Sequence, residues 1–186
     1  MGHFVDIKLL AEPEFPTVQL MAGLYSKLHL AIVALKTDAI AVSFPEYSEH
    51  PVGLGSVLRI VGPETVIQQL LATAWLGGMR DHVSATSVAP VPQDATARVL
   101  QRVQVKSSAD RLRRRRMRRH GITADQAADQ IPNSAAERLN LPFVQLSSGS
   151  TGQRFRLYFQ LKQADRPQSG QFNAYGLSNT ATIPWF

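Results

Sequence analysis

Seven of the nine residues from 111 to 119 are arginine, at 111, 113, 114, 115, 116, 118 and 119, interrupted only by Leu112 and Met117. Like charges three and four residues apart repel one another on a helix, so such a run calls for an anion that compensates it. A merely solvated basic face intersperses lysine with glutamate, and no acid occurs in this stretch. The residue type points to a polyanion. Upstream, Arg102 and Gln104 stand two residues apart, roughly 7 Å along a strand. Arginine bonds guanine and glutamine bonds adenine in bidentate fashion, although two polar residues on an exposed strand are commonplace. The histidines at 3, 50, 82 and 120 form no helical His-x-x-x-His pattern and no carboxylate cluster suited to two-metal phosphoryl chemistry, so metal-free chemistry without a cofactor is expected. His120 closes the arginine run, where a cation suits a helix C-terminus. The absence of cysteine excludes disulfides and cysteine-ligated zinc or iron-sulfur sites.

The elements that must position these side chains are read from periodicity. Val5, Ile7 and Leu9 alternate with Asp6 and Lys8, as in a half-buried strand. After the breakers Pro13 and Pro16, Leu20, Leu24, Leu28, Ala31 and Leu35 recur at helical spacing. Residues 39–44 and 56–61 read as two strands joined by a polar loop with Pro45, Pro51 and Gly53. Pro63 and Glu64 open a second helix running to Leu71 or Trp75, and residues 82–89 give a weaker strand. The order β-α-β-β-α-β is that of the ferredoxin-like unit. Pro90-Val91-Pro92 closes this first domain near residue 94, and residues 95–186 form a second, α+β domain.

In the second domain residues 97–106 alternate, with Arg98, Arg102, Gln104 and Lys106 on a basic face. Ser107 to Asp110 has capping-box spacing, so the arginine helix begins there and stops at Gly121. Thr123 to Gln126 opens another helix ended by Pro132, Ser134 to Glu137 a short third, and strands follow. The fold class is therefore α+β.

Twenty lysines and arginines against fourteen acids leave a net charge of +6, which favours nucleic acid by attraction and counterion release. The ferredoxin-like order favours RNA over DNA by analogy. The A-form major groove is too deep and narrow for side chains except near loops, bulges and stem ends. A helix about nine residues and roughly 13 Å long therefore fits a hairpin rather than a long duplex. Met1 to Leu10 has no basic region followed by an apolar run, and no apolar stretch is expected to approach the roughly 20 residues that span a bilayer, so a soluble cytoplasmic protein is expected.

The chain resembles the repeat-processing CRISPR-associated endoribonucleases of type I-F systems. The matching pieces are Glu14-Phe15-Pro16, Lys27-Leu28-His29, Val42-Ser43-Phe44-Pro45, Arg102-Val103-Gln104, the arginine run, Leu141-Pro142-Phe143-Val144, Ser150-Thr151-Gly152-Gln153, Tyr175-Gly176-Leu177-Ser178 and Pro184-Trp185-Phe186. The resemblance implies a metal-independent cut at the foot of a CRISPR repeat hairpin through the 2′-hydroxyl, with the product retained. It implies other subunits of a type I-F surveillance complex as partners, and a monomer when free. The rival reading is a non-catalytic hairpin-binding subunit that anchors a guide RNA.

By the same resemblance His29 is catalytic, Ser148 assists it, and Tyr175 lies nearby. Hairpin contacts would come from Arg102, Gln104, Arg115, Arg118 and Arg119, with Ser150 reaching the cleaved strand and Phe155 stacking on the last pair. Arg111 and Arg114 join them as members of the same run. Read without the resemblance, His29 is a boundary residue beside an apolar stripe, Ser148 part of a turn, Phe155 the first of a core row with Leu157, Phe159 and Leu161, and Tyr175 a packed tyrosine. A group of near-neutral pKa is what metal-free handling of a 2′-hydroxyl proton requires, whether as base or as acid. Serine can hold that hydroxyl in line without becoming a covalent nucleophile, and either Ser147 or Ser148 can serve.

Overall fold

The computed structural model describes residues 2–105, 109–132, 139–149 and 152–186. They form two compact units, one of Met1–Val103 with Leu141–Phe186 and one of Gln104–Asn140. The class is α+β, as expected.

The larger unit starts with β1 (His3–Leu9), whose Val5, Ile7 and Leu9 are buried as their alternation predicts. Helix α1 (Thr17–Leu35) follows, with Leu20, Leu24, Leu28 and Ala31 turned inward. Next come β2 (Ala41–Ser43), a ribbon of β3 (Ser48–Glu49) and β4 (Val52–Gly53) inside the predicted polar loop, and β5 (Val57–Gly62). Helix α2 (Glu64–Ala72), a 3-10 turn at Arg80–His82, β6 (Val83–Ala85) and β7 (Ala89–Pro90) complete the first half. The sheet runs β2-β5-β1-β6, every pair antiparallel, with β7 also on β1.

The single strand expected over 82–89 is split in two. Thr86 makes the break: its hydroxyl accepts the Asp6 N–H and its own N–H donates to the Asp6 carbonyl, so a side chain replaces one rung of the ladder.

A second antiparallel sheet, ordered β11-β8-β10-β9, contains β8 (Thr96–Val103), β9 (Phe143–Ser147), β10 (Arg154–Gln163) and β11 (Ile183–Trp185). On β8, Arg98, Leu100 and Arg102 share the face that meets Gln163, Leu161 and Phe159 of β10. Leu100 is buried there, so the face read as polar and basic carries a core residue at its centre. Helix α1 packs against both β1 and β9. Tyr25, Phe44 and Phe159, all fully buried, meet with ring centroids 4.9 to 6.0 Å apart and join α1, the end of β2 and β10.

Helix α1 corrects one expectation. It is 19 residues long with a mean hydropathy of 1.4, which by length and composition is enough to cross a membrane. Its apolarity has a local cause: seven of its residues are buried in the core, while Val18, Leu30 and Val33 add exposed apolar side chains.

The smaller unit holds α3 (Ala109–His120), with the arginine run, and α4 (Ala124–Gln130). Gly121 takes φ +63° and donates its N–H to the Met117 carbonyl, the left-handed stop that glycine permits. Thr123 and Gln126 form the reciprocal capping box read from the sequence. Ser107 of the expected α3 cap, and the short helix expected at Ser134 to Glu137, lie outside the described residues.

One buried charge ties the first sheet to the chain's last residue. Arg59 on β5 binds Asp6 on β1 through Nε and Nη2 at 2.7 and 2.9 Å, and Nη1 donates to the Phe186 carbonyl at 2.8 Å. Its guanidinium lies 4.7 and 3.8 Å from the ring centroids of Phe4 and Phe186. Asp6→Ala strands this cation in the interior, and urea unfolding is expected to report a loss of about 3–5 kcal/mol. A loss under about 1 kcal/mol would mean that the rings and the carbonyl suffice to hold it.

Candidate active site and nucleic-acid interface

Tyr25 and His29 stand four residues apart on α1 and so project from one face, one turn above the other. The turn Asn173–Leu177, far along the chain, meets both. His29 Nδ1 lies 2.8 Å from the Ala174 carbonyl, and the Tyr25 hydroxyl donates to the Tyr175 carbonyl at 2.7 Å. A carbonyl only accepts, so Nδ1 carries the proton and Nε2 keeps the lone pair in the neutral ring. The Tyr175 ring lies flat on that imidazole, with centroids 4.0 Å apart and planes 8° from parallel. It is nearly parallel to Tyr25 as well, at 6.5 Å.

Burial pushes the Tyr25 hydroxyl well above the usual tyrosine range, and Tyr175 pushes it further while the Arg102 charge opposes. It therefore remains a donor at any working pH, and its bond to the turn is not titrated away. His29 and Tyr175, paired in the sequence reading only through a resemblance, are thus in direct contact. Tyr25 was not among the candidates. Its four-residue spacing from His29 is the signal that was available.

Ser148 follows the last residue of β9. Its N–H donates to the Gln153 carbonyl, and its carbonyl accepts from Gly152 N–H, so the end of β9 is tied to the chain entering β10 there. The buried Val144 and Leu146 alternate with exposed Gln145 and Ser147. Ser147 is on the exposed face of β9, and Ser148, just past the strand, is half-buried. Leu146 pairs with Phe155, which lies on that same inner face at the start of β10. Phe155 is half-buried and packs at the margin of the core, with the Arg102 guanidinium 5.9 Å from its ring centroid. Arg102 Nε is buried without a hydrogen-bond partner among the described residues.

Two candidates stand differently from the sequence reading. Strand β8 ends at Val103, one residue short of Gln104, which is exposed and belongs to the smaller unit. The common strand face expected for Arg102 and Gln104 therefore does not extend to Gln104. Ser150 lies outside the described residues.

In the smaller unit the arginines divide by face. Arg113 Nε donates to the Ile131 carbonyl at 2.8 Å, and Arg116 Nε donates to Gln130 Oε1 at 3.1 Å. Both are spent on the C-terminal end of α4. At 100° per residue, Arg111, Arg114, Arg115, Arg118 and Arg119 fall within roughly 140° on the other side of α3. All five are exposed. They are the five arginines of the run singled out as RNA contacts, and together they make a single-sign cationic stripe. Among the described residues no group of three or more histidine, aspartate or glutamate side chains gathers as a metal would need.

Residues 4–186 match the family model described as CRISPR-associated protein (Cas_Csy4). A protein of Pseudomonas aeruginosa (strain UCBPP-PA14), named CRISPR-associated endonuclease Cas6/Csy4, is 46% identical over 187 residues, covering 100% of both chains. A protein of Escherichia coli (strain UTI89 / UPEC) with the same name is 40% identical over 190 residues, again covering 100% of both.

The division of the arginines has a direct readout. Arg113→Ala removes a charged donor from the last turn of α4 at a cost of about 1.5–3 kcal/mol to that contact. Amide hydrogen exchange across residues 124–130 is expected to quicken, while Arg118→Ala leaves it unchanged. Equal protection in the two variants would show that Arg113 does not hold α4.

Proposed function

The chain belongs to the CRISPR-associated Cas_Csy4 family, and we propose that it is a metal-independent endoribonuclease that binds a CRISPR repeat hairpin and cuts the precursor transcript at the foot of the stem. The observation that carries the chemistry is the clamped imidazole: with Nδ1 bound to the Ala174 carbonyl and one ring face on Tyr175, His29 offers Nε2 alone for proton exchange.

In this reading the five-arginine stripe of α3 lies along the hairpin phosphates, Gln104 contacts a base near the foot of the stem and Ser150 reaches the cleaved strand. Phe155 stacks on the terminal base pair and Arg102 reads a base at its foot. Ser148, half-buried just past the end of β9, holds the 2′-hydroxyl in line with the phosphorus. The 2′-oxygen attacks the phosphorus as His29 Nε2 takes its proton, and the bond to the 5′-oxygen breaks. A 2′,3′-cyclic phosphate is left on the hairpin fragment, and the leaving 5′-oxygen takes a proton from water, while the His29 imidazolium later returns its proton to solvent. Tyr175 supports the imidazole from below.

The β2-β5-β1-β6 order with α1 and α2 supports reading residues 1–94 as a ferredoxin-like half and 95–186 as the hairpin-binding half. That division is one of role and crosses the compact units. We further propose that the protein works in the cytoplasm, is monomeric when free, keeps its cut RNA and joins other subunits of a type I-F surveillance complex.

Purified protein in EDTA, given its own repeat RNA and a copy with one 2′-deoxy at the cut, tests this. Cutting of the ribose substrate alone is expected, with His29→Ala slower by about 10²-fold or more. Cleavage of the deoxy copy, or a need for divalent metal, would sink the mechanism. Binding without any cut would leave a guide-anchoring subunit. If about five phosphates are neutralised, log affinity should fall against log salt with a slope of about −4, and a flat response would remove the arginine stripe from the reading.

A further inference from the structure

We infer that Asn173 is a positioning residue that sets the tautomer of His29, an inference that rests on the catalytic reading of that histidine. Its side chain is the internal tie of the turn that meets α1. Asn173 Oδ1 accepts the N–H of Tyr175 at 2.8 Å and that of Leu177 at 3.3 Å. The Asn173 N–H donates to the Leu177 carbonyl at 2.9 Å, and the Gly176 N–H to the Asn173 carbonyl at 2.8 Å. Four hydrogen bonds thus close a five-residue loop on one asparagine. This is the Asx arrangement, which a side chain of that length makes with backbone N–H groups two residues on.

The loop is anchored from outside as well. Phe172 N–H donates to the Asp38 carbonyl and Val42 N–H to the Gly176 carbonyl, at 2.9 and 3.0 Å. Gly176 has φ +70°, and a Cβ there would stand 2.8 Å from Val42 Cγ1, so no larger residue fits without movement. The consequence is that the two carbonyls between Asn173 and Gly176, those of Ala174 and Tyr175, are aimed together at two side chains one helical turn apart on α1. The Ala174 carbonyl holds the proton on Nδ1. An imidazole left to water prefers the proton on Nε2, the nitrogen that the reaction needs bare. Asn173 itself touches no part of the imidazole. It acts through the carbonyl and through the Tyr175 ring, whose backbone N–H it binds.

The test compares Asn173→Ala, Asn173→Ser and Asn173→Asp with the natural chain, full length, on two independent readouts. The first is the 15N spectrum of the histidine rings in the free protein at alkaline pH, with His29→Ala identifying the signal. The natural chain and Asn173→Asp, which keeps the acceptor, are expected to show His29 protonated on Nδ1, and Asn173→Ala to shift it toward Nε2. The second is single-turnover cleavage of repeat RNA at saturating protein, with the dissociation constant measured alongside. Asn173→Ala is expected to slow cleavage by about tenfold or more with affinity unchanged, and Asn173→Asp to restore it. Asn173→Ser keeps a weaker acceptor, falls between the two, and decides the matter if the alanine variant does not fold.

An unchanged Nδ1 tautomer in Asn173→Ala, or a shifted tautomer with an unchanged rate, would overturn the inference. Failure of the natural chain to cleave would sink the catalytic reading instead, and the ring spectra would still report whether Asn173 governs the imidazole.

Discussion

Burial of one long face of α1 is the constraint on which the larger unit depends. The helix is shared between the first sheet and β9 of the second, and its row from Leu20 to Ile32 is closed to solvent. Each such side chain contributes about 1.5–3 kcal/mol on leaving water, so this packing outweighs any single polar contact nearby. Because the core side of α1 is settled this way, its rotation about its own axis is settled too. Tyr25, on the buried side, and His29, at its margin, must then face the segment that passes there. The turn Asn173–Leu177 is that segment, and its two carbonyls meet them. An imidazole at the edge of a core helix inherits the rigidity of the core without being enclosed by it.

The opposite constraint governs α3. Seven like charges within nine residues oppose helix formation, and an isolated helix of this sequence would be marginal. Arg113 and Arg116 donate to the Ile131 carbonyl and the Gln130 side chain, while Gly121 and the Thr123 capping box fix the corner between the helices. The other five remain on one side. Like charges held on one side repel one another, so any anion bound along that side would stabilise this unit by linkage.

Much of the frame was legible because its signals are local. Val5, Ile7 and Leu9 alternate, Leu20, Leu24 and Leu28 recur at helical spacing, and Thr123 with Gln126 marks a helix start. All of these are properties of neighbouring residues, and all appear as read. The misreadings came where a distant partner intervened. Thr86 splits a strand by bonding across to Asp6. Leu100 turns an apparently basic strand face toward the core because β10 lies beside it. Strand β8 stops before Gln104, where the chain passes from one unit to the other.

By itself the sequence determined the α+β class, the run of arginines with its concentrated positive charge, the absence of cysteine chemistry and the place of His29 on an apolar helix. Tertiary structure alone decided that Arg113 and Arg116 reach the end of α4 and which nitrogen of His29 is left bare. The physical reason is distance along the chain. Periodicity records whether a residue faces inward or outward, but the carbonyl that holds the imidazole lies 145 residues away, and only the folded backbone brings the two together.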